Sequence, residues 1–403
     1  MTDAPTHDVV DGVEPVLEDV VGWRRHLHRH PELSFEERET AAYIADALAG
    51  FGAALEVERP AENSVVAHLR TSRPGPVVAL RADIDALPID EQSGVDFASE
   101  NRGVMHACGH DGHTAMLLGA ARLLTDARDR LPGGEIRFLF QPAEELAPGG
   151  ARDLVAAGAV EGVDFIYGCH LWTPLEYGKV AAMPGAFMAA SDFFTLAITG
   201  RGGHGGLPHL ADDTIAIGAQ VVTNLQHVVA RRVDPLERAV LSIGTFHAGD
   251  APNVLPGRVE LSGTVRTFDP DLRERMPVLI EEVIRGVTSA HGAGYDLDYQ
   301  FGYEPVVNDE RATALVRDAI DPAALTDLAP IMGGDDFSAY LAEVPGCYAF
   351  IGAGDEDSGA TFPHHHPRFR IDERALATGV QLHVDVAVRA LKEAPRQQRA
   401  LGG

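Results

Sequence analysis

The segment Ile136-Arg-Phe-Leu-Phe-Gln-Pro-Ala-Glu-Glu145 passes from an apolar run directly into two adjacent carboxylates. A short apolar run of this kind predicts a buried strand, at residues 136–140. Glu144 and Glu145 repel each other and resist burial, so a positive partner nearby would make them tolerable. A metal ion would be such a partner, although acids at a helix N-terminus, where the helix dipole favours them, explain the pair equally well.

Other apolar runs predict further strands, at residues 65–69, 76–80, 165–169 and 348–351. Helical patterns precede them at 16–30 and 36–51 and lie between them at 113–124 and 154–157. This alternation predicts an α/β domain in which helices cover both faces of a mixed sheet. Chemistry in such sheets lies beyond the carboxyl ends of strands. We therefore expect the acids that follow these strands (Asp83, Asp85, Glu144, Glu145) and His170 at one edge.

The middle of the chain has a different order of predicted strands and helices. It predicts a strand at 193–199, a helix at 214–230, strands at 239–246 and 258–265, a helix at 272–289 and a strand at 295–301. The order β-α-β-β-α-β is that of the ferredoxin-like unit. We therefore predict a discontinuous catalytic, metal-binding domain, residues 1–187 and 305–403, with a second domain inserted at 188–304.

Composition sets limits on the class of protein. A chain of 403 residues with 45% hydrophobic content can bury a large core. A net charge of -27 argues against nucleic acid or an anionic membrane as partner. Three widely spaced cysteines do not form a disulfide framework, and the N-terminus lacks a signal peptide pattern, so we expect a cytoplasmic protein without membrane spans. The tail after Ala394 is expected to be frayed.

Cys108 and His110 flank a glycine that lets the backbone turn tightly, so both side chains could reach one metal ion. Thiolate, imidazole and carboxylate together suit zinc or manganese. A buried thiol beside a histidine that caps the next helix is an equally good explanation of this pair. Asp111 could orient a ligand imidazole, whereas His106 and His113 are assigned structural roles.

Three further groups of residues are candidates for the site. The run His364-His365-His366 could supply a ligand or could be a solvated loop. His204 lies among glycines after a strand, a pattern typical of a flexible loop that delivers an imidazole, although a polar turn would look the same. Asn253 and Arg266 are candidate binders of a substrate carboxylate, with a structural salt bridge as the alternative for Arg266.

The chain resembles the aminoacylase and carboxypeptidase-like metallohydrolases, a metallopeptidase family. Within that family it is most similar to the branch of hippurate hydrolases, N-acyl-amino-acid amidohydrolases and indole-acetyl-amino-acid hydrolases. The resemblance covers nearly the whole chain. It is carried by the motifs at residues 24–35 (RRHLHRHPELSF), 81–88 (RADIDALP), 105–113 (MHACGHDGH), 140–145 (FQPAEE), 200–204 (GRGGH) and 367–373 (PRFRIDE).

The resemblance implies a set of site residues. The implied metal ligands are Cys108, His110, Glu145, His170 and His365, with Glu144 as general base. It also implies a homodimer built through the inserted domain, which would act as a lid that brings His204 to the site. Two departures from the family pattern are Asp335, where a glutamate is usual, and His366, where Asn or Ser is usual; either could alter the geometry around the ligands.

We therefore predict a metal-dependent amidohydrolase that cleaves N-acyl amino acids, of acetyl, benzoyl or aryl-acetyl type, into a carboxylic acid and an amino acid. Two divalent ions would provide the attacking hydroxide, and His204 would help to stabilise the oxyanion. The alternatives are a dipeptidase or carboxypeptidase, a binding protein with a structural metal, and an enzyme that uses Cys108 as a nucleophile.

Overall fold

The structure, a computed structural model, describes residues 9, 10 and 12–393. The expectations for the N-terminal residues 1–8 and for the tail after Ala394 lie outside these residues. The described chain divides into two compact units. The first comprises the described parts of Met1–Phe187, Val306–Ala329 and Asp335–Gly403, and the second comprises Met188–Pro305 with Pro330–Gly334.

The first unit is built on an eight-stranded mixed sheet. Its strands, numbered through the whole chain, are β1 Leu55–Glu58, β2 Val65–Arg70, β3 Val77–Asp83, β4 Glu135–Gln141, β5 Phe165–Glu176, β6 Val180–Ala181, β15 Leu325–Thr326 and β16 Gly346–Gly354. Their order across the sheet is β1-β2-β4-β3-β5-β16-β6-β15. β4, β3, β5 and β16 run parallel to one another, so their carboxyl ends meet at the same edge.

The helices of the first unit are α1 Leu17–Arg29, α2 Arg38–Ala49, α3 His110–Asp126, α4 Ala151–Ala156, α7 Glu310–Ala319, α8 Ser338–Leu341 and α9 Ala375–Glu393. Short 3-10 turns lie at Glu14–Val16 and Arg128–Arg130. Every residue of β3 and β16 is buried, which is possible only where both faces of the sheet are covered. The prediction of an α/β domain with a helix-covered mixed sheet is therefore confirmed.

Two strands extend further than the apolar runs predict. β5 continues to Glu176 because β16 pairs with it as far as Gly354, so His170 lies inside the strand and does not follow it. β3 likewise continues to Asp83, its last residue. Asp83 and His170 therefore belong to the strands themselves, and the sheet fixes the direction of these two side chains.

The second unit has the predicted order β-α-β-β-α-β. Its main elements are β8 Ala190–Thr199, α5 Thr214–His227, β10 Ala239–Ala248, β12 Arg258–Thr267, α6 Pro270–Ala290 and β13 Gly294–Tyr303. The four strands form an antiparallel sheet in the order β10-β12-β8-β13. Leu196, Val221 and Ile280 represent its separate apolar core of strand and helix residues.

The remaining elements are short. They are β7 Gly185–Met188, β9 Gly203–His204, β11 Val254–Leu255, β14 Val306–Asn308, a 3-10 turn at Pro208–Leu210 and a π-helical turn at Val228–Arg232. No helix in the described part of the chain is both long enough and apolar enough to cross a membrane.

Candidate metal centre

The five predicted metal ligands and Glu144 form one cluster in the first unit. Three overlapping groups connect them, and within each group the ligand atoms lie within 4.8 Å of one another. The groups are Cys108 with His110 and His170, Cys108 with Glu145 and His365, and His110 with Glu144 and Glu145. The fold therefore brings together side chains that are up to 257 positions apart, counted from Cys108 to His365.

Cys108 and His110 are placed by the start of α3. Gly109 has φ +100°, a left-handed conformation that suits glycine, as the sequence predicts. This turn leads directly into His110, the first residue of α3, whose side chain is completely buried. The Nδ1 of His110 donates to the backbone oxygen of Asp85 at 2.9 Å and to its carboxylate at 3.1 Å, which leaves Nε2 directed at the cluster.

Glu144 and Glu145 follow the end of β4 through a tight turn. Ala143 adopts φ +55°, an unusual conformation for a residue with a side chain. The backbone N–H of Glu145 donates to the carboxylate of Asp85 at 2.9 Å. Asp85 therefore holds both the His110 ring and the Glu145 backbone, which come from different elements.

His170 and His365 complete the cluster from β5 and from a C-terminal loop. The Nδ1 of His170 donates to the backbone oxygen of Leu171 at 2.7 Å, so its Nε2 carries a lone pair and lies 3.4 Å from the Cys108 sulfur. Burial lowers the pKa of His170 well below its usual value, which keeps the ring neutral, as a metal ligand must be. His365 is half exposed, and its Nε2 lies 3.2 Å from Glu145 Oε1.

The spacing around His110 fits a cation. Its Nε2 is buried and has no hydrogen-bond partner among the residues that the structure describes. Carboxylate oxygens of Glu144 and Glu145 lie 3.9 Å from this nitrogen, and one of Asp83 lies 3.8 Å away. These separations are too long for hydrogen bonds, but two ligands of one ion lie roughly 3–4 Å apart when each bond is about 2.0–2.3 Å.

The charges of the side chains around His110 also fit a bound cation. Burial, together with Asp335 and Glu145, raises the pKa of Glu144 well above its usual value. Burial and the same two glutamates raise the pKa of the Cys108 thiol. Burial alone would lower the pKa of His110, but Asp83 and Asp85 outweigh burial and raise it to about 10. Divalent cations would compensate this excess of negative charge and would favour the deprotonated forms of Cys108 and Glu144.

The neighbouring acids have roles other than those expected from their positions in the sequence. Asp111 does not orient a ligand imidazole, because its carboxylate accepts from Arg24 at 2.9 Å and from His28 at 2.8 Å. The acid that contacts the His110 ring is Asp85. Asp83 instead accepts a hydrogen bond from His113 Nδ1 at 2.6 Å.

The two other histidines of the 105–113 motif, His113 and His106, are both buried. The Nε2 of His113 accepts the backbone N–H of Leu171 at 2.8 Å, so both of its ring nitrogens are occupied and it is not available to a metal. His106 is buried, and burial lowers its pKa to about 4.

The two departures from the family pattern are accommodated locally. Asp335 is buried and accepts from the Tyr348 hydroxyl at 2.5 Å and from the Phe337 N–H at 2.8 Å. Asp336, beside it, accepts from Gln141 and Arg81 at 2.8–2.9 Å. His366 stacks on Phe362 with ring centroids 4.6 Å apart, and it is not in any of the three groups.

The other predicted site residues lie in the second unit. His204 is exposed on β9, opposite Val254 of β11, and Asn253 precedes that strand. The Nδ1 of His204 accepts the backbone N–H of Gly206 at 2.9 Å, which leaves Nε2 for another partner. Within the described ranges Arg266 has no ion-pair partner. Its guanidinium donates to the Val265 carbonyl at 3.1 Å and lies 5.5 Å from the Phe193 ring centroid, so the salt-bridge alternative is not observed.

Comparison with known sequences places these residues in context. A sequence profile of Peptidase family M20/M25/M40 matches residues 79–389. An N-acyl-L-amino acid amidohydrolase from Geobacillus stearothermophilus is 58% identical over 296 residues, which are 73% of this chain and 80% of the relative. Thermostable carboxypeptidase 2 from Saccharolobus solfataricus is 36% identical over 389 residues, 95% of this chain and 99% of the relative.

A solved structure is also similar over nearly the full length. It is that of a Bacillus subtilis protein described as a dinuclear metal binding peptidase from the M20 family. The two chains superpose with a TM-score of 0.80 at 35% sequence identity, over 94% of this chain and 99% of the other.

Proposed function

The chain belongs to Peptidase family M20/M25/M40 and is a hydrolase of amide bonds, and from this premise we propose that it cleaves N-acyl amino acids into a carboxylic acid and a free amino acid. The observation that carries the proposal is the cluster around His110. A nitrogen, a sulfur and carboxylate oxygens converge there, and Glu144 adds a second carboxylate beside that of Glu145. A structural metal site has no use for that extra carboxylate, whereas a hydrolase needs a base.

In this proposal Cys108, His110, Glu145, His170 and His365 hold two divalent ions, zinc or manganese. When bound, such ions lower the pKa of water and polarise the amide carbonyl. Glu144 accepts one proton from the attacking water, whose oxygen bonds to the carbonyl carbon. Glu144 then gives this proton to the nitrogen as the C–N bond breaks. The burial that raises the pKa of Glu144 suits a group that must both accept and return a proton.

The second unit would contribute substrate contacts. We assign His204 to stabilisation of the oxyanion, and Asn253 and Arg266 to a substrate carboxylate. Burial lowers the pKa of Arg266 against the opposing effect of the Asp192 charge, and its guanidinium forms no ion pair in the described chain, which is the state expected of an anion binder. We further propose that residues 188–304 act as a lid and form a homodimer. The three cysteines are free and buried, which supports a cytoplasmic location.

Peptide hydrolysis is the second candidate, and the similarity to a carboxypeptidase favours it. A nucleophilic role for Cys108 is disfavoured, because burial raises the pKa of its thiol. The Cys108 sulfur also lies close to the imidazoles of two proposed ligands, His110 and His170. A binding protein with a purely structural metal is inconsistent with membership of a hydrolase family.

The experiment that separates the candidates is a substrate panel. Metal-supplemented enzyme is incubated with acetyl-, benzoyl- and indole-acetyl-amino acids, with dipeptides, and with longer peptides that have free carboxyl termini, and the released amino acid is quantified. The proposal predicts a higher kcat/KM for at least one N-acyl amino acid than for any peptide. Preference for the peptides would establish the peptidase alternative instead. Glu144→Ala, assayed in parallel, controls for contaminating hydrolases.

A further inference from the structure

Three strained backbone positions in the first unit belong to one hydrogen-bond network: two of them bond to the same buried acid, and the third bonds to one of these two. Four non-glycine residues in the described part of the chain have positive φ, and three of them are Phe35 at +68°, Asn63 at +56° and Ala143 at +55°. Glu37 Oε1 accepts the backbone N–H of Ala143 at 2.7 Å. The Asn63 side-chain amide donates to Glu37 Oε2 at 3.3 Å and to the Phe35 carbonyl at 3.0 Å.

Glu37 is an unusual residue at this position. It is completely buried, and it occupies the N-cap position of α2. A side chain at this position commonly caps its own helix, but the Glu37 carboxylate makes no such bond. It reaches instead to Ala143, which is 106 positions away in the chain.

The hydrogen bond that Glu37 accepts from Ala143 lies immediately before Glu144 and Glu145 in the chain. Ala143 stands between the end of β4 and Glu144, and the preceding Pro142 has no N–H to donate. The left-handed conformation is unfavourable for a non-glycine residue. Without a compensating contact, the equilibrium between this turn and a relaxed one would shift roughly 5- to 30-fold towards the relaxed turn. Since Ala143 determines the direction in which the chain leaves the strand, relaxation there would move both Glu144 and Glu145.

We propose that Glu37 is a positioning residue: by accepting the Ala143 N–H it holds the left-handed turn that directs Glu144 and Glu145 into the metal centre. The inference rests on the proposed function for the roles of those two glutamates. Glu37 itself touches neither substrate nor metal in this assignment. Its effect would pass through the backbone of residues 143–145.

A double-mutant cycle tests this role, with Co²⁺ affinity of the metal-stripped full-length protein as the first measurement and kcat as the second. Glu37→Ala should weaken Co²⁺ binding and lower kcat, each by roughly 5- to 30-fold. Glycine adopts positive φ freely, so Ala143→Gly should remove the need for Glu37. The double variant should therefore recover to within about twofold of Ala143→Gly alone, the usual error for independent changes.

Glu37→Gln is the matched control. It removes the same charge as Glu37→Ala but retains an oxygen that can accept the Ala143 N–H, so its Co²⁺ affinity should stay within about twofold of wild type. If Glu37→Ala does not fold, Glu37→Asp takes its place in the cycle. It keeps the charge, leaves a smaller cavity and withdraws the oxygen by one methylene.

The outcomes separate the two proposals. Failure of Ala143→Gly to restore Co²⁺ affinity would overturn the positioning role, as would equal losses in the Gln and Ala variants, which would show a charge effect. If wild type binds Co²⁺ but releases no amino acid from any N-acyl substrate, the proposed function fails, while the Co²⁺ affinities still decide the role of Glu37.

Discussion

Asp85 Oδ1 lies 3.1 Å from His110 Nδ1, and the other oxygen of the same carboxylate accepts the backbone N–H of Glu145 at 2.9 Å. One buried acid thus orients a proposed ligand from α3 and a proposed ligand that follows β4. Partners of this kind fix the ring orientation and raise the basicity of a metal-bound histidine.

Asp85→Ala should therefore weaken metal binding by roughly 10- to 100-fold, the usual cost of losing such a partner. The measurement is metal affinity by competition with a chromophoric chelator. Ser34→Ala is the control, because the Ser34 hydroxyl donates to the same carboxylate at 2.7 Å and its removal leaves Asp85 in place. Equal affinities in the Asp85→Ala variant and in wild type would show that Asp85 does not support the ligands.

Glu144 and Glu145 should respond differently to truncation. In the proposed assignment Glu144→Ala removes the base but no ligand, so we expect bound metal to remain and kcat to fall by roughly 10²- to 10⁴-fold. Glu145→Ala should lose metal as well as turnover. Metal content by elemental analysis, measured beside kcat, distinguishes them. Equal loss of metal in both variants would mean that the two roles are wrongly assigned.

We expect the carboxyl of Glu135 on β4 to contribute to the loss of folding stability at low pH. Burial would raise its pKa, but hydrogen bonds from His68 and Arg137 lower it from 4.5 to about 2. A carboxyl whose pKa is lower in the folded state stabilises the fold at pH values above its pKa in the unfolded state. This contribution is lost as the pH falls through the pKa of the folded state. His68, whose pKa is raised, stays charged over this whole range.

Urea unfolding at several pH values tests this contribution. Wild type should lose stability between about pH 4.5 and pH 2, and Glu135→Gln should lose less over the same interval. Parallel stability curves for the two proteins would show that Glu135 makes no such contribution.

His204 offers a test of the proposed homodimer. If it serves the site of the partner subunit, a dimer of one Glu144→Ala and one His204→Ala subunit contains one complete site. Random mixing of the two inactive variants should then restore roughly a quarter of wild-type activity under two-fold pairing. Mass spectrometry of differently labelled subunits confirms exchange. Absence of recovery after confirmed exchange would place His204 in its own subunit's site or outside catalysis.

Hydrophobic periodicity predicted the long elements well, because burial of one face dictates their spacing. Residues 16–30 were expected to be helical and α1 spans Leu17–Arg29, ending before Pro31, which cannot continue a helix. The middle of the chain shows the same agreement, from the strand that became β8 to the one that became β13. Three helices, α7, α8 and α9, are not among the predicted elements.

Strand ends and partners were predicted less well, because both depend on residues distant in sequence. The length of β5 follows from its pairing with β16, which no local pattern reveals. From its position in the sequence Asp111 could orient a ligand imidazole, yet neighbouring residues on a helix face different directions, and the Asp111 carboxylate accepts from Arg24. Glu37 gives no sequence signal, since an acid before a helix is ordinary.

The most direct test of the central proposal is amide hydrolysis by protein that has been exhaustively stripped of metal and then reconstituted. With the preferred N-acyl amino acid as substrate, we predict that amino-acid release falls to background after chelation. It should return when zinc or manganese is restored, because Glu144 then again has a water that it can deprotonate. Undiminished hydrolysis by protein shown to be free of metal would contradict the proposed function.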